Sequence, residues 1–151
     1  MAHDFKAFPE LRDDQLDFYY WDSPHKQIFQ DFWATVEKVH DGDTITLRWT
    51  ERDFGFPLRF AEINTKELNA GGEEARDWLK EQIEGDLVLI IINDKNRVDK
   101  YGRLLGTVIH NGIDMNEALI NVGLATKFKD RNEGQLMNLD KELNIKQWLT
   151  S

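Results

Sequence analysis

Residues 32–49 read FWATVEKVHDGDTITLRW and predict two antiparallel strands joined by a tight turn. Apolar and polar residues alternate over 32–39 and again over 44–49, which is typical of strands with one buried face. The intervening Asp41-Gly42 pair favours a hairpin turn. A second turn leads to a third strand, so we expect a three-stranded meander that buries one face against the rest of the chain.

Periodicity and turn residues define the elements that follow. Apolar residues at helical spacing predict a helix over 75–83 that ends at Gly85. The continuous apolar run of 86–92 predicts a central strand buried on both faces, with residues 103–110 as its partner. Two further helices are predicted over 115–122 and 135–149, and residues 12–20 allow another short one. The order predicts an α+β fold, namely a five-stranded OB-fold-like barrel with three helices.

Composition limits the class of protein. The 151 residues are enough for one domain, and 40% of them are hydrophobic. The net charge of −9 argues against a protein whose whole surface attracts polyanions, so any contact with nucleic acid must be local. The chain has no cysteine, which excludes thiolate metal sites and disulfides. We find no signal peptide and no apolar membrane span, and therefore expect a soluble protein, cytoplasmic or phage-associated, without membrane contact.

The first 30 residues differ from the rest in being both acidic and rich in aromatic side chains. We interpret residues 1–30 as an N-terminal extension and 31–151 as the main domain. So many aromatic residues favour packing, either on the domain itself or on a protein partner.

Four short motifs occur in order along the main domain: Asp41-Gly42-Asp43-Thr44, Arg59 through Thr65-Lys66-Glu67, Asp99-Lys100-Tyr101-Gly102-Arg103, and Asn116-Glu117-Ala118-Leu119. Through these motifs, the chain from about residue 32 to 128 resembles the staphylococcal nuclease (thermonuclease) family. The missing signal peptide and the Ile-Asn-Thr variant at 63–65 look like its phage or prophage members. The resemblance implies a calcium-dependent phosphodiesterase that cleaves DNA, RNA or both and leaves 3′-phosphate ends.

The resemblance also implies roles for individual residues. Phosphodiester hydrolysis needs an activated water, donors for the charge that develops on phosphate, and a cation. The implied sets are a catalytic group of Arg59, Glu67 and Arg103, a calcium site of Asp43, Asn64 and Thr65, and substrate contacts from Lys100, Tyr101 and Phe128. Structural alternatives stay open: Asp43 serving only the hairpin, Arg103 forming only a salt bridge, and Lys100 and Tyr101 being ordinary loop surface.

The chain departs from the family pattern around the expected metal site and nucleotide site. Asn64 stands where the family has a second calcium-binding aspartate, which predicts weaker calcium binding because affinity follows ligand charge. Lys66 replaces a proline, and Phe128 is the aromatic residue left where tyrosines would stack on a base. We expect a local basic groove formed by Arg59, Lys66, Arg97, Lys100, Arg103, Lys127, Lys129 and Arg131.

Two other functions compete with the nuclease. A nuclease-like domain with a weakened metal site would serve as a binding or assembly module, for example in a phage particle. An OB-fold that binds single strands without cutting them is disfavoured, because both arginines align with Glu67.

Overall fold

The computed structural model describes residues 3–66, 71–93 and 95–127. Within these ranges the chain forms helices α1 (Asp13–Tyr19), α2 (Glu73–Ile83) and α3 (Met115–Asn121), and strands β1 (Phe32–Asp41), β2 (Thr44–Arg48), β3 (Phe56–Phe60), β4 (Ile63–Asn64), β5 (Leu87–Ile92), β6 (Leu104–His110), β7 (Ile113–Asp114) and β8 (Thr126–Lys127). None of the described helices has the length and apolar character needed to cross a bilayer. The helix predicted over 135–149 lies outside the described residues.

Five strands close into a barrel. Their order is β3-β2-β1-β5-β6, and β6 pairs in parallel with β3 to complete the circle. The other neighbours are antiparallel. This closure confirms the predicted α+β, OB-fold-like barrel, and it leaves no exposed edge among the five strands.

The barrel core is built from the alternating residues of the predicted meander. On β1, Phe32, Ala34 and Val36 are buried while the residues between them face outward. Strands β2 and β3 continue the pattern, and α2 contributes Ala75, Leu79 and Ile83. Burying each large side chain stabilises the fold by roughly 1.5–3 kcal/mol.

Strand β5 corrects one expectation. Val88 and Ile90 are buried, but Leu89 and Ile91 are half-buried and Leu87 is 58% exposed. The prediction that this strand is buried on both faces was therefore wrong. A strand in a barrel wall has one inward face, and the apolar run of β5 exceeds what that face requires.

The chain turns sharply between β3 and β4. Glu62 has a positive φ of 63°, which breaks the strand after Phe60. The buried Asn116 side chain donates to the carbonyl of Ala61 at 3.0 Å and accepts from the amide of Val108 at 3.1 Å. Helix α3 thereby fixes the turn, which directs the following residues back toward the β1–β2 hairpin.

Residues 3–29 pack against the barrel. Leu11 and Ile28 are almost fully buried. Gln27 joins two extended pieces of this segment, because its side chain accepts from the amide of Leu11 at 2.8 Å and donates to the carbonyl of Pro9 at 2.9 Å. The boundary at residue 30 between extension and domain stays a prediction.

Candidate active site

Barrel closure brings Arg59 and Arg103 together. Arg59 lies on β3 opposite Leu105 of β6, and Arg103 directly precedes β6. Both side chains reach one open cleft of about 460 Å³ and retain 17% and 29% exposure respectively. Two guanidinium groups at one cleft provide planar forks of donors that suit the oxygens of a phosphate.

Asp43 lies between the two arginines. Its Oδ2 accepts from the amide and the hydroxyl of Thr65 at 3.3 and 3.2 Å and pairs with Arg59 Nη2 at 3.4 Å. Its Oδ1 accepts from Thr44 Oγ1 at 3.3 Å, and that hydroxyl accepts from Arg103 Nη1, also at 3.3 Å. A single carboxylate therefore connects the hairpin, the β3–β4 turn and both arginines.

Gly42 permits this arrangement by its small size. A Cβ atom at this position would lie 2.7 Å from Ala75 Cβ and 2.8 Å from Thr65 Cγ2. The hairpin turn can thus approach both α2 and Thr65, and that approach places Thr65 beside Asp43.

The Asp43 carboxyl group has an unusual environment. Burial raises its pKa above the ordinary value, Arg59 opposes that increase, and the neighbouring Asp41 adds to it. Asp41 and Asp43 are neighbouring carboxylates, and Asp43 is partly removed from water. A bound cation would stabilise the negative charge of this pair. The electrostatics therefore fit a cation at this position.

The oxygen atoms available here also fit a hard cation. Carboxylates of Asp41 and Asp43, the amide oxygen of Asn64 and the oxygens of Thr65 belong to one neighbourhood, and calcium accepts all three ligand types. Asn64 Oδ1 accepts from Arg59 Nη2 at 3.0 Å. In the described parts of the chain, no three or more His, Cys, Asp or Glu residues are grouped to hold a metal ion. The donor set is consequently suitable in type but low in charge.

Asp99 fixes the loop that carries Arg103. Its Oδ1 accepts from the amides of Tyr101 and Arg103 at 2.9 and 2.8 Å, and its Oδ2 accepts from Arg103 Nε at 2.8 Å. The Arg103 guanidinium also lies 5.4 Å from the centre of the Tyr101 ring. Sequence reasoning assigned Asp99 no role, although a carboxylate four residues before the arginine is the signal that could have identified it.

Seven of the nine predicted site residues lie in the described part of the chain, and two do not. Five of them line the cleft, namely Arg59, Asn64, Lys100, Tyr101 and Arg103, and Asp43 and Thr65 contact that set from the hairpin side. Glu67 and Phe128 lie outside the described residues. Lys95, Asn93 and Asn96 also line the cleft and were not predicted.

Comparison with known proteins identifies the family. Residues 57–146 match the family model described as staphylococcal nuclease homologue. The chain belongs to this family. A 52-residue stretch is 40% identical to an uncharacterised protein of Bacillus anthracis and covers 34% of this chain and 24% of that protein. A 139-residue alignment is 26% identical to an uncharacterised protein of Methanocaldococcus jannaschii and covers 74% of this chain and 67% of the other.

Family membership supports a nuclease-like function and a nucleic-acid substrate in general terms. The charge of the cleft agrees with this, since its described lining holds four cationic side chains (Arg59, Lys95, Lys100 and Arg103) and two acidic ones (Glu62 and Asp99). The chain spans about a quarter of the length of the Bacillus anthracis relative.

Arg97 does not belong to the basic groove in which it was predicted. It is 8% exposed, donates to the carbonyl of Leu11 at 2.7 Å and lies over the Phe29 ring at 4.6 Å. Its cationic head is therefore directed to the N-terminal segment and away from solvent. Lys129 and Arg131 of the predicted groove lie outside the described residues.

Proposed function

We propose that the protein is a calcium-dependent nuclease that hydrolyses phosphodiester bonds of DNA, RNA or both and leaves 3′-phosphate ends. The observation that carries this proposal is the placement of Arg59 and Arg103 at one cleft with Asp43 between them. The class of substrate, the calcium cofactor and the phage or prophage origin of the protein follow from the family resemblance and belong to the proposal.

In this mechanism Arg59 and Arg103 donate hydrogen bonds to oxygens of the scissile phosphate. These donors compensate the charge that develops as water attacks phosphorus and the bond to the 5′ oxygen breaks. Glu67 orients the attacking water or accepts its proton. The oxygens of Asp43, Asn64 and Thr65 would hold calcium, which when bound neutralises phosphate charge and orients the substrate.

Lys100 and Tyr101 bind the substrate from the loop that also carries Arg103. Tyr101 is 61% exposed, and Lys100 Nζ lies 5.3 Å from the centre of its ring. An aromatic face beside a cation suits a nucleotide, because a base stacks on the ring while a phosphate meets the ammonium group. Phe128 is proposed to add a second stacking surface.

Cleavage assays test the proposal. The purified protein is incubated with single- and double-stranded DNA and with RNA, with calcium or with a chelator. We expect calcium-dependent cleavage, and we expect Glu67→Gln to reduce it by about 10²–10⁴-fold, the usual contribution of a general base. Glu74→Gln, at an exposed position in the first turn of α2, is the matched control and is expected to cut like the wild type. Absence of calcium-dependent cleavage, or equal cleavage by Glu67→Gln, contradicts the proposal.

Calcium binding has a readout that does not need activity. Calcium is expected to raise the free energy of unfolding by about 2.7 kcal/mol when its concentration is a hundred times the dissociation constant. Asp43→Asn removes the central carboxylate and should abolish that increase, whereas Asn64→Asp adds a carboxylate and should lower the calcium concentration required. Thermal unfolding across a calcium titration measures both, with Asp53→Asn at an exposed turn as control. An equal calcium response in wild type and Asp43→Asn would rule out this site.

A binding or assembly module is the second candidate, and two observations favour it. Asn64 lowers the charge of the metal site, and Phe18 and Trp21 of the N-terminal segment are 76% and 91% exposed. Exposed aromatic side chains of this size are typical of protein interfaces. Binding of DNA by the wild type with no cleavage under any calcium concentration would select this function over the nuclease.

A further inference from the structure

The N-terminal segment, residues 3–29, reaches the loop of residues 95–103 at two places. The first contact lies at the start of the loop, where Arg97 Nη2 donates to the carbonyl of Leu11 at 2.7 Å. The adjacent Glu10 carboxylate is 2% exposed and lies 3.9 Å from Arg97 Nη1. Glu10 also pairs with Arg52. The beginning of the loop is thus tied to the segment by a buried charge network.

The second contact lies at the tip of the loop. Gly102 has a positive φ of 82°, and a Cβ atom built on it would lie 2.9 Å from Phe8 Cδ1 and 3.4 Å from Phe8 Cβ. The Phe8 ring therefore packs directly on the backbone between Tyr101 and Arg103. His3 Nε2 donates a 2.8 Å hydrogen bond to the carbonyl of Phe8, which ties the start of the segment to the same place.

Lys100 and Tyr101 stand between two hollows. The cleft described above lies on one side of them. A second hollow of about 300 Å³ lies on the other side, lined by the loop tip and by residues of the segment that include Phe8 and Tyr19. The wall of the cleft is therefore one loop thick at this point, and the N-terminal segment supports it from behind.

Asp99 supports the loop from within, because its side chain accepts from the amides of Tyr101 and Arg103 and its carbonyl accepts from the amide of Gly102 at 3.0 Å. The Asp99 carboxylate accepts hydrogen bonds from the backbone amide and from Nε of Arg103, so the arginine keeps its position through contacts within the loop. Lys100 and Tyr101 are exposed, and their side chains extend from a turn with a left-handed residue next to it. The Asp99 contacts hold the backbone of this turn from within the loop, and the packing of Phe8 on Gly102 adds a contact from outside it.

We propose that Phe8 and Arg97 are positioning residues, through which the N-terminal segment holds Lys100 and Tyr101 in the conformation that binds substrate. The inference rests on the proposed nuclease function for its kinetic consequence. A binding loop that is already ordered loses less conformational freedom when substrate arrives, so the segment contributes to affinity. Arg103, which is fixed by Asp99, keeps its contribution to the chemical step.

The test compares Phe8→Ala with Phe18→Ala, which removes an aromatic ring of the same segment that is 76% exposed. Hydrogen exchange of the backbone amides of residues 100–103 is measured in both variants, and cleavage kinetics are measured on a single-stranded thymidine oligonucleotide. Phe8→Ala is expected to accelerate exchange in the loop and to raise KM roughly five- to tenfold while kcat changes by less than about twofold. Phe8→Leu keeps an apolar contact on Gly102 and should restore both properties. Phe18→Ala should match the wild type.

The two readouts separate this proposal from the nuclease proposal. Hydrogen exchange needs no cleavage, so a wild type that fails to cut nucleic acid overturns the proposed function while exchange still decides the role of Phe8. Unchanged exchange in Phe8→Ala overturns the positioning role. A fall in kcat equal to the rise in KM does so as well, because it would mean that Phe8 acts on Arg103 or on the fold as a whole.

Discussion

Replacing Glu10 by glutamine is expected to lower the free energy of unfolding by about 3–5 kcal/mol, because it removes the carboxylate that pairs with both of two buried cations. Glu10 is 2% exposed and contacts Arg52 and Arg97, whose side chains are 0% and 9% exposed. Burial lowers the pKa of both arginines, and Glu10 opposes that decrease. Nε and Nη1 of both arginines are buried without a hydrogen-bond partner among the described residues, which makes the Glu10 charge their main compensation.

Chemical denaturation of the variant and the wild type measures this effect. Asp14→Asn serves as the matched control, because it removes one carboxylate from an ion pair with Arg12 at 3.1 Å whose side chains are 39% and 72% exposed. A surface pair of this kind contributes about 0–1 kcal/mol. A loss below about 1 kcal/mol for Glu10→Gln would show that water reaches the network and that the pair is not desolvated.

Replacing Arg59 by lysine is expected to reduce cleavage of nucleic acid by roughly 10²–10³-fold, as for loss of one donor to a developing oxyanion. Arg59 Nη2 lies near both Asn64 Oδ1 and Asp43 Oδ2, and Nη1 donates to the carbonyl of Phe60. These contacts hold the guanidinium plane in one orientation at the cleft. Lysine keeps the charge but has neither the planar fork nor the reach to make the same bonds.

Steady-state kinetics at saturating substrate measures the loss, and it should appear mainly in kcat because the donors act on charge formed in the transition state. Arg48→Lys is the matched control, since Arg48 is exposed on the adjacent strand β2. Wild-type kcat in Arg59→Lys would remove Arg59 from the mechanism. Circular dichroism of each variant verifies that the barrel is intact.

Much of the fold followed from local sequence patterns. The alternation matches the buried and exposed positions of β1 over residues 32–37, and the register then shifts between Val36 and Lys38. Asn111-Gly112, a pair typical of hairpin turns, has positive φ at both residues. Helix α3, predicted over 115–122, ends before Gly123, whose positive φ of 81° is typical of a glycine that follows a helix. These features depend on steric preferences within a few residues, which is why the sequence alone predicts them.

Predictions that depended on the surroundings of a residue were less accurate. The apolar run of β5 does not indicate whether one or both faces of the strand are packed against other elements. Closure of the barrel turns one of these faces toward the core. Arg97 was expected in the basic groove because its side chain is positively charged. Its guanidinium instead pairs with the buried carboxylate of Glu10 in the N-terminal segment. A charged side chain takes its position from its partner, and that partner is not visible in the local pattern.

The sequence by itself determined the five barrel strands, the hairpin with Asp43 at its turn, and the residue types needed to bind a phosphate. Only the tertiary structure decided that Arg59 and Arg103 share one cleft, through the parallel pairing of β3 with β6. The physical reason is that strand pairing uses the backbone N–H and C=O groups that all residues except proline carry, so the pairing of distant strands leaves no local signal in the side chains. It is settled by the curvature that closes the barrel around its core.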